Sequence, residues 1–257
     1  VLIAALTGAV SVAGLARAET SKPITLPLSN LKFTADGGFT PRALPKSTPT
    51  PVALTISGKV GALDGTHPPA LRDLAIALDK NIAVNLSGYP SCHPSRIQTD
   101  PPRTPAEACS GSLIGDGAMV TEIQLAEVPP ILVRSEVQIF NGTRKHGART
   151  LYLYTYIAVP TPAWIVASAQ IKQAHDGPYG TEAVISFPKI AGGSGSITSF
   201  DFRIKKRLPL AGKRFSPITA RCPNGRLQFR DTATFFVYET SETFRAPSEV
   251  LRTCTGG

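Results

Sequence analysis

The stretch Arg149-Thr150-Leu151-Tyr152-Leu153-Tyr154-Thr155-Tyr156-Ile157-Ala158-Val159 decides the fold class. Successive side chains of a strand point to opposite faces. Leu151, Leu153, Thr155, Ile157 and Val159 therefore share one face, and Tyr152, Tyr154 and Tyr156 share the other. β-branched and aromatic residues suit a pleated backbone better than a helix. The same period of two recurs at Val52, Leu54 and Ile56, at Leu74, Ile76 and Leu78, and at Ile82, Val84 and Leu86, with Asp79-Lys80-Asn81 read as a hairpin turn before the last run. Phe200, Phe202 and Ile204 alternate with Asp201, Arg203 and Lys205, giving a strand with one charged face. Strand-like runs also cover 118–126, 131–140, 164–171 and 183–187, and two further strands are read near 227–229 and 235–238. Asn141-Gly142 reads as a tight turn. The one local helix signal is Thr104-Pro105-Ala106-Glu107, with Thr104 as N-cap and Pro105 at the first helical position. With 22 Gly and 23 Pro as punctuation, the chain is expected to be all-β and antiparallel, with about ten to twelve strands. A β-sandwich or a strongly curved, partly open barrel fits that pattern.

Val1 to Ala18 reads VLIAALTGAVSVAGLARA, an uncharged apolar run closing in Ala16-Arg17-Ala18. This is the h-region and cleavage site of a secretory signal peptide, N-terminally incomplete because no Met or basic n-region precedes it. The run is shorter than the ~20 residues that span a bilayer, so no transmembrane segment is expected in the mature chain. Residues 19–50 are rich in Pro, Thr, Ser and Lys and read as an extended arm, with a short strand near Leu31 to Thr34. Residues 51–257 read as a single β domain whose first core strand begins near Val52.

The four cysteines are Cys92, Cys109, Cys222 and Cys254. An even number in an exported chain implies disulfides. Of the three pairings, the local one is favoured: Cys92–Cys109 and Cys222–Cys254. Each closes a short loop, contributing roughly 3–4 kcal/mol in the loop-entropy picture. The absence of C-x-x-C argues against a zinc ribbon or a thioredoxin-type site. The formal charge of +9 favours anionic envelope polymers, glycans or lipid headgroups as partners. Nucleic acid is not expected outside the cell.

Asp64-Gly65-Thr66-His67-Pro68-Pro69-Ala70-Leu71, Cys109-Ser110-Gly111-Ser112-Leu113-Ile114-Gly115-Asp116-Gly117, Gly212-Lys213-Arg214, Ala220-Arg221-Cys222-Pro223-Asn224-Gly225 and Arg252-Thr253-Cys254 occur together. As a set they resemble a group of uncharacterised exported β-rich proteins of soil actinobacteria, over residues from about 50 to the C-terminus. The resemblance implies a secreted or cell-envelope location and supplies no catalytic residues.

The side chains with chemistry to offer are few. His67, His93, His146 and His175 lie in loops without metal-ligand spacing, so neither a metal nor a cofactor is expected. Asp64 and His67 read as an Asx-type turn. Gly192-Gly193-Ser194-Gly195-Ser196 lacks G-x-S-x-G spacing and reads as a flexible hairpin tip. Asn85-Leu86-Ser87 and Asn141-Gly142-Thr143 are glycosylation sequons, relevant only in a eukaryotic host. Two groups are candidate ligand surfaces. The tyrosine stripe spans about 14 Å and suits sugar rings or amphipathic ligands if it is open, and is core if it is covered. The basic clusters Arg144, Lys145 and Arg149, and Lys205, Lys206 and Arg207, bracket turns and suit anionic polymers or lipid heads. The main expectation is an exported non-enzymatic protein binding an anionic or amphipathic partner. One alternative is a carrier holding an apolar ligand inside a curved sheet. Another is a secreted hydrolase without a recognisable motif, which requires at least two of Asp64, His67, His93 and Glu107 to share a cleft. Oligomeric state is left open.

Overall fold

The structure, a computed structural model, describes residues 17–19, 24–28, 30–98, 104–145, 147–205, 208–210, 213–238 and 240–256. Among them, thirteen strands build one sheet: β1 (Arg17–Glu19), β2 (Ile24–Leu28), β3 (Leu31–Thr40), β4 (Ala53–Ala62), β5 (Ala70–Asp79), β6 (Leu113–Ile123), β7 (Ile131–Asn141), β8 (Arg149–Ile157), β9 (Ala163–Gln173), β10 (Tyr179–Ser186), β11 (Gly195–Ile204), β12 (Arg226–Val237) and β13 (Glu242–Thr253). Their spatial order is β1-β13-β12-β5-β10-β9-β8-β7-β6-β11-β4-β3-β2. The eleven strands from β13 round to β3 are antiparallel throughout and curl until β13 lies against β2 and β3, a nearly closed barrel. At that edge β1 pairs parallel with Glu249–Leu251. Most of the proposed signal segment, Val1 to Ala16, lies outside the described residues.

The interior is filled by the period-two residues. Phe33 meets Phe235 edge-to-face at 5.5 Å, and Phe39 stacks on Phe229 at 6.3 Å. A void of about 20 Å³ remains beside Phe33, Ile56, Phe200, Phe229 and Asp231. That space suits about one water and is far too small for the apolar ligand of a carrier.

Three expectations need correction. Core strands start at Leu31 rather than near Val52: β3 runs ten residues and buries Leu31, Phe33 and Phe39. Residues 226–237 form one strand instead of two. The chain leaves the sheet after Asp79, whose Oδ1 accepts from the Asn81 backbone N–H at 2.9 Å. The next strand, Ile82–Val84, pairs with Ile218–Ala220, so Asp79-Lys80-Asn81 is an Asx turn between two sheets and not a hairpin.

Register sorts the connections onto two ends. Segments 63–69, 124–130, 158–162, 187–194 and 238–241 lie at one end, the turn end. Segments 41–52, 80–112, 142–148, 174–178 and 205–225 lie at the other. Both disulfides, Cys92–Cys109 and Cys222–Cys254, belong to this second end, the disulfide end. Among the described residues, no helix is long and apolar enough to cross a membrane.

Asp231 is a carboxylate on the inward side of the sheet. It shares the inward face of β12 with Phe229 and Ala233, and its Oδ1 accepts from the Ser248 hydroxyl at 2.5 Å. Its Oδ2 is buried without a partner. Burial pushes its pKa up to about 6, against the opposing hydrogen bond from Ser248. The folded state therefore keeps this proton at pH values where the unfolded chain has released it. Its contribution is fully present below the unfolded value near 4 and is lost as pH rises to about 6. Asp231→Asn is expected to raise stability by about 2 kcal/mol above pH 7. It should also flatten the fall in urea midpoint between pH 4 and 6; an unchanged profile would show that another group titrates there.

Candidate functional site

Most of the tyrosine stripe is core. The loop closed by Cys92–Cys109 carries two short helices, α1 (Pro94–Ile97) and α2 (Pro105–Ala108). They lie over β8, so Tyr152 and Tyr154 pack with Phe140, Ile97, Ala108 and the disulfide. Burial raises the pKa of the Tyr154 hydroxyl, helped by Tyr156 beside it. The α2 turn starts where the sequence places it: the Thr104 hydroxyl accepts from the Glu107 N–H, and the Glu107 carboxylate accepts from the Thr104 N–H. Arg96 ties the helices together through the Ala108 carbonyl at 2.9 Å. Only Tyr156 stays open, 44% exposed opposite Trp164 at 41%. Val128, Leu132 and Val159 are also exposed toward the turn end.

Arg144, Lys145 and Arg149 sit on the β7–β8 connection. Asn141-Gly142 is not its turn, because Gly142 continues alongside Cys92 as an isolated bridge. The chain reverses instead at Lys145–Ala148, which exchange backbone hydrogen bonds at 3.0 Å. Arg144 and Arg149 line one pocket of about 250 Å³ with Ser87, Ser91 and Thr143. The second basic cluster divides. Lys205 is paired with Asp116 at 2.8 Å, and Lys206 and Arg207 lie outside the described residues.

The residues named for a hydrolase also divide between the two ends. Asp64 and His67 share the 63–69 strap at the turn end, whereas His93 caps α1 and Glu107 caps α2 at the disulfide end. Thr66, through its hydroxyl and N–H, and Asn30 hold the Asp64 pKa down to about 2, so Asp64 is a fixed turn anion. His67 finds other partners. Its Nδ1 lies 2.8 Å from Glu122 Oε1, and its Nε2 lies 3.1 Å from Ser196 Oγ. Glu122 and Ser196 are cross-strand neighbours on β6 and β11.

These are the residue types and distances of a Ser-His-Glu triad. The hydroxyl is nevertheless aimed the wrong way. Ser196 is 1% exposed and donates to the Pro68 carbonyl at 2.6 Å. A nucleophilic serine must instead give its proton to the imidazole. Here the Ser196 proton is spent on the Pro68 carbonyl, while the two ring nitrogens of His67 bridge Glu122 and the Ser196 oxygen. The relay is a clasp holding the strap across the turn end. The sequence hid it because Glu122 and Ser196 meet only through sheet register.

Among the described residues, no group of three or more His, Cys, Asp or Glu side chains is placed to hold a metal ion. The fold and its sites thus define a disulfide-stapled antiparallel β-barrel with one basic end and one clasped, partly apolar end. Comparison with protein-family models, curated proteins and solved structures returned no match.

His67→Ala should cost about 1–2 kcal/mol by leaving Glu122 and Ser196 short of partners, and should speed amide exchange selectively in the 63–69 strap. A fluorophosphonate probe should leave Ser196 unmodified in the folded protein. Labelling that Ser196→Ala abolishes would show an accessible nucleophile and remove the clasp reading.

Proposed function

We propose that this is an exported, non-enzymatic binding protein of the cell envelope or extracellular space that attaches to an anionic glycan or wall polymer through its disulfide end. The observation that carries this reading is a local imbalance of charge. Lys46, Lys80, Arg144, Lys145, Arg221 and Arg226 are all exposed at that end. Four described carboxylates at this end are occupied. Asp79 closes its Asx turn, Glu107 caps α2, Asp116 pairs with Lys205, and Asp176 pairs with Arg230 at 2.6 Å. Exposed cations gathered on one surface give a field that reaches about 8 Å at physiological salt, enough to steer a polyanion. Two disulfides fit the oxidising environment that such a partner shares, and the signal-like Val1–Ala18 segment supports the same route.

Net charge alone would also retain the protein on a polyanion, so the test compares equal charge losses. Lys46→Gln/Lys80→Gln/Lys145→Gln is expected to lower the salt needed to elute the protein from heparin-agarose clearly more than Lys32→Gln/Lys59→Gln/Arg245→Gln, whose three cations are also exposed but lie elsewhere. Equal shifts would mean that binding follows overall charge, and the assignment to the disulfide end would fall.

A further inference from the structure

The Arg144–Arg149 pocket has features that a merely basic surface lacks. Its floor is built rigidly. The buried Asn141 side-chain amide donates to the carbonyls of Tyr89 and Pro90 at 3.0 and 3.1 Å, clamping the 86–91 segment over the end of β7. The Cys92 N–H donates to the Asn141 carbonyl at 2.8 Å, just before the disulfide that fixes the loop. Gly142 leaves no room for a Cβ, which would fall 2.5 Å from the Tyr152 ring and 2.9 Å from the Thr150 carbonyl. The 86–91 wall of the pocket is therefore held in place by the Asn141 clamp and the disulfide.

What lines the pocket is chemically selective. Arg144 is oriented by its bond to the Gly147 carbonyl at 3.0 Å, which leaves its other N–H groups free to turn inward. Arg149 is half-buried at the start of β8 and has no side-chain hydrogen bond or ion pair among the described residues. Among the described residues, no carboxylate lines the cavity. A half-buried guanidinium without an acceptor is a donor fork awaiting one, and its planar geometry matches a carboxylate or phosphate. The hydroxyls of Ser87, Ser91 and Thr143 ring the same space and can both donate and accept. That combination matches an acidic group attached to a hydroxylated ring. A volume of about 250 Å³ holds one such unit and not a lipid chain.

We infer that this pocket is a subsite for a single acidic sugar residue, with Arg149 and Arg144 on its carboxylate or phosphate and Ser87, Ser91 and Thr143 on its hydroxyls. The inference rests on the anionic-glycan reading above and gives it a defined point of contact. Both sequons take part: Ser87 and Thr143 supply wall hydroxyls, while the Asn141 amide is buried in the clamp.

The test uses monomers, which field effects alone hold poorly. Isothermal titration of the full chain with glucuronate and with glucose 6-phosphate is expected to show binding, with none for glucose and weaker binding for inorganic phosphate. Arg149→Gln should weaken both sugar acids about tenfold or more, Ser91→Ala/Thr143→Val should weaken the sugar acids but not inorganic phosphate, and Lys145→Gln should change little. Wild-type circular dichroism and an intact Cys92–Cys109 bridge in each variant separate loss of the site from loss of the fold. The pocket assignment is overturned if neither sugar acid binds, or if Arg149→Gln binds as the wild type does. Equal binding of inorganic phosphate and glucose 6-phosphate would overturn the role given to the hydroxyls. If the monomers fail while heparin retention still depends on Lys46, Lys80 and Lys145, the pocket is wrong and the anionic-glycan reading stands. If retention is indifferent to those lysines, that broader reading fails by itself.

Discussion

The barrel depends on a seam that no hydrogen-bonded ladder closes. Going round the sheet, every junction from β13 to β3 is an antiparallel ladder; beyond them β2 pairs with β3 and the short β1 with Glu249–Leu251, and among the described residues no ladder joins these two margins. An open edge invites pairing with other chains, and here side chains close it. Arg252, 3% exposed at the end of β13, donates to Asp36 on β3. Next to it, Arg42 stacks over Phe39 at 4.8 Å and donates to the Thr253 carbonyl at 3.5 Å. Partial burial and the Arg252 charge lower the Arg42 pKa, with Asp36 opposing. Below this polar closure, Phe33 and Phe39 of β3 reach Phe235 and Phe229 of β12, so the apolar filling itself draws the edges together. A buried guanidinium tolerates no loss of its partner, because what remains is an uncompensated charge. The Arg252–Asp36 pair is for that reason a constraint on register as much as a source of stability.

Once the sheet is curled, its connections have only two places to go, and the two ends solve different problems. At the turn end, the 63–69 strap carries the chain from β4 across to β5, and a half-buried relay of Glu122, His67 and Ser196 pins it down. At the disulfide end the long 80–112 excursion has few apolar residues of its own. It covers the outer face of β8 by offering Ile97, Ala108 and the Cys92–Cys109 bridge to Tyr152 and Tyr154. The covalent link holds a loop that its own small core would leave marginal.

Local chemistry was legible in the sequence, and long-range register was not. Alternation along Leu151–Ile157 identified β8, the Thr104-Pro105-Ala106-Glu107 pattern identified α2, and proximity along the chain identified both disulfides. β13 escaped because Glu242, Arg245, Pro247 and Glu249 break its apolar pattern. Pro247 lacks an N–H and is tolerated because β13 is an edge strand with β12 along its length and only the short β1 beyond. β3 was read only as a short strand near Leu31 to Thr34 within an arm, because of the prolines around it, while Phe33, Ala35, Gly37 and Phe39 carry its inward face over ten residues. The covered tyrosines, the Glu122–His67–Ser196 relay and the Arg144–Arg149 pocket all need partners from distant strands. No spacing rule encodes which strands those are.

The positive end follows from how acidic side chains are used in turns. A carboxylate near a strand end or helix start is the readiest acceptor for backbone N–H groups left without a ladder partner. Asp79 accepts from Asn81 and from the Gln228 N–H at 3.1 Å, and Glu107 accepts from Thr104. Such a carboxylate is held in place and is less able to swing out to a neighbouring lysine. Lysines and arginines find fewer such tasks, since carbonyl oxygens at turns are readily served by water. An end rich in irregular connections thus ties down its acids and leaves its bases exposed. The 86–91 segment is clamped by a neutral amide, Asn141, instead of an acid, and among the described residues no carboxylate joins Arg144 and Arg149 in the pocket between them.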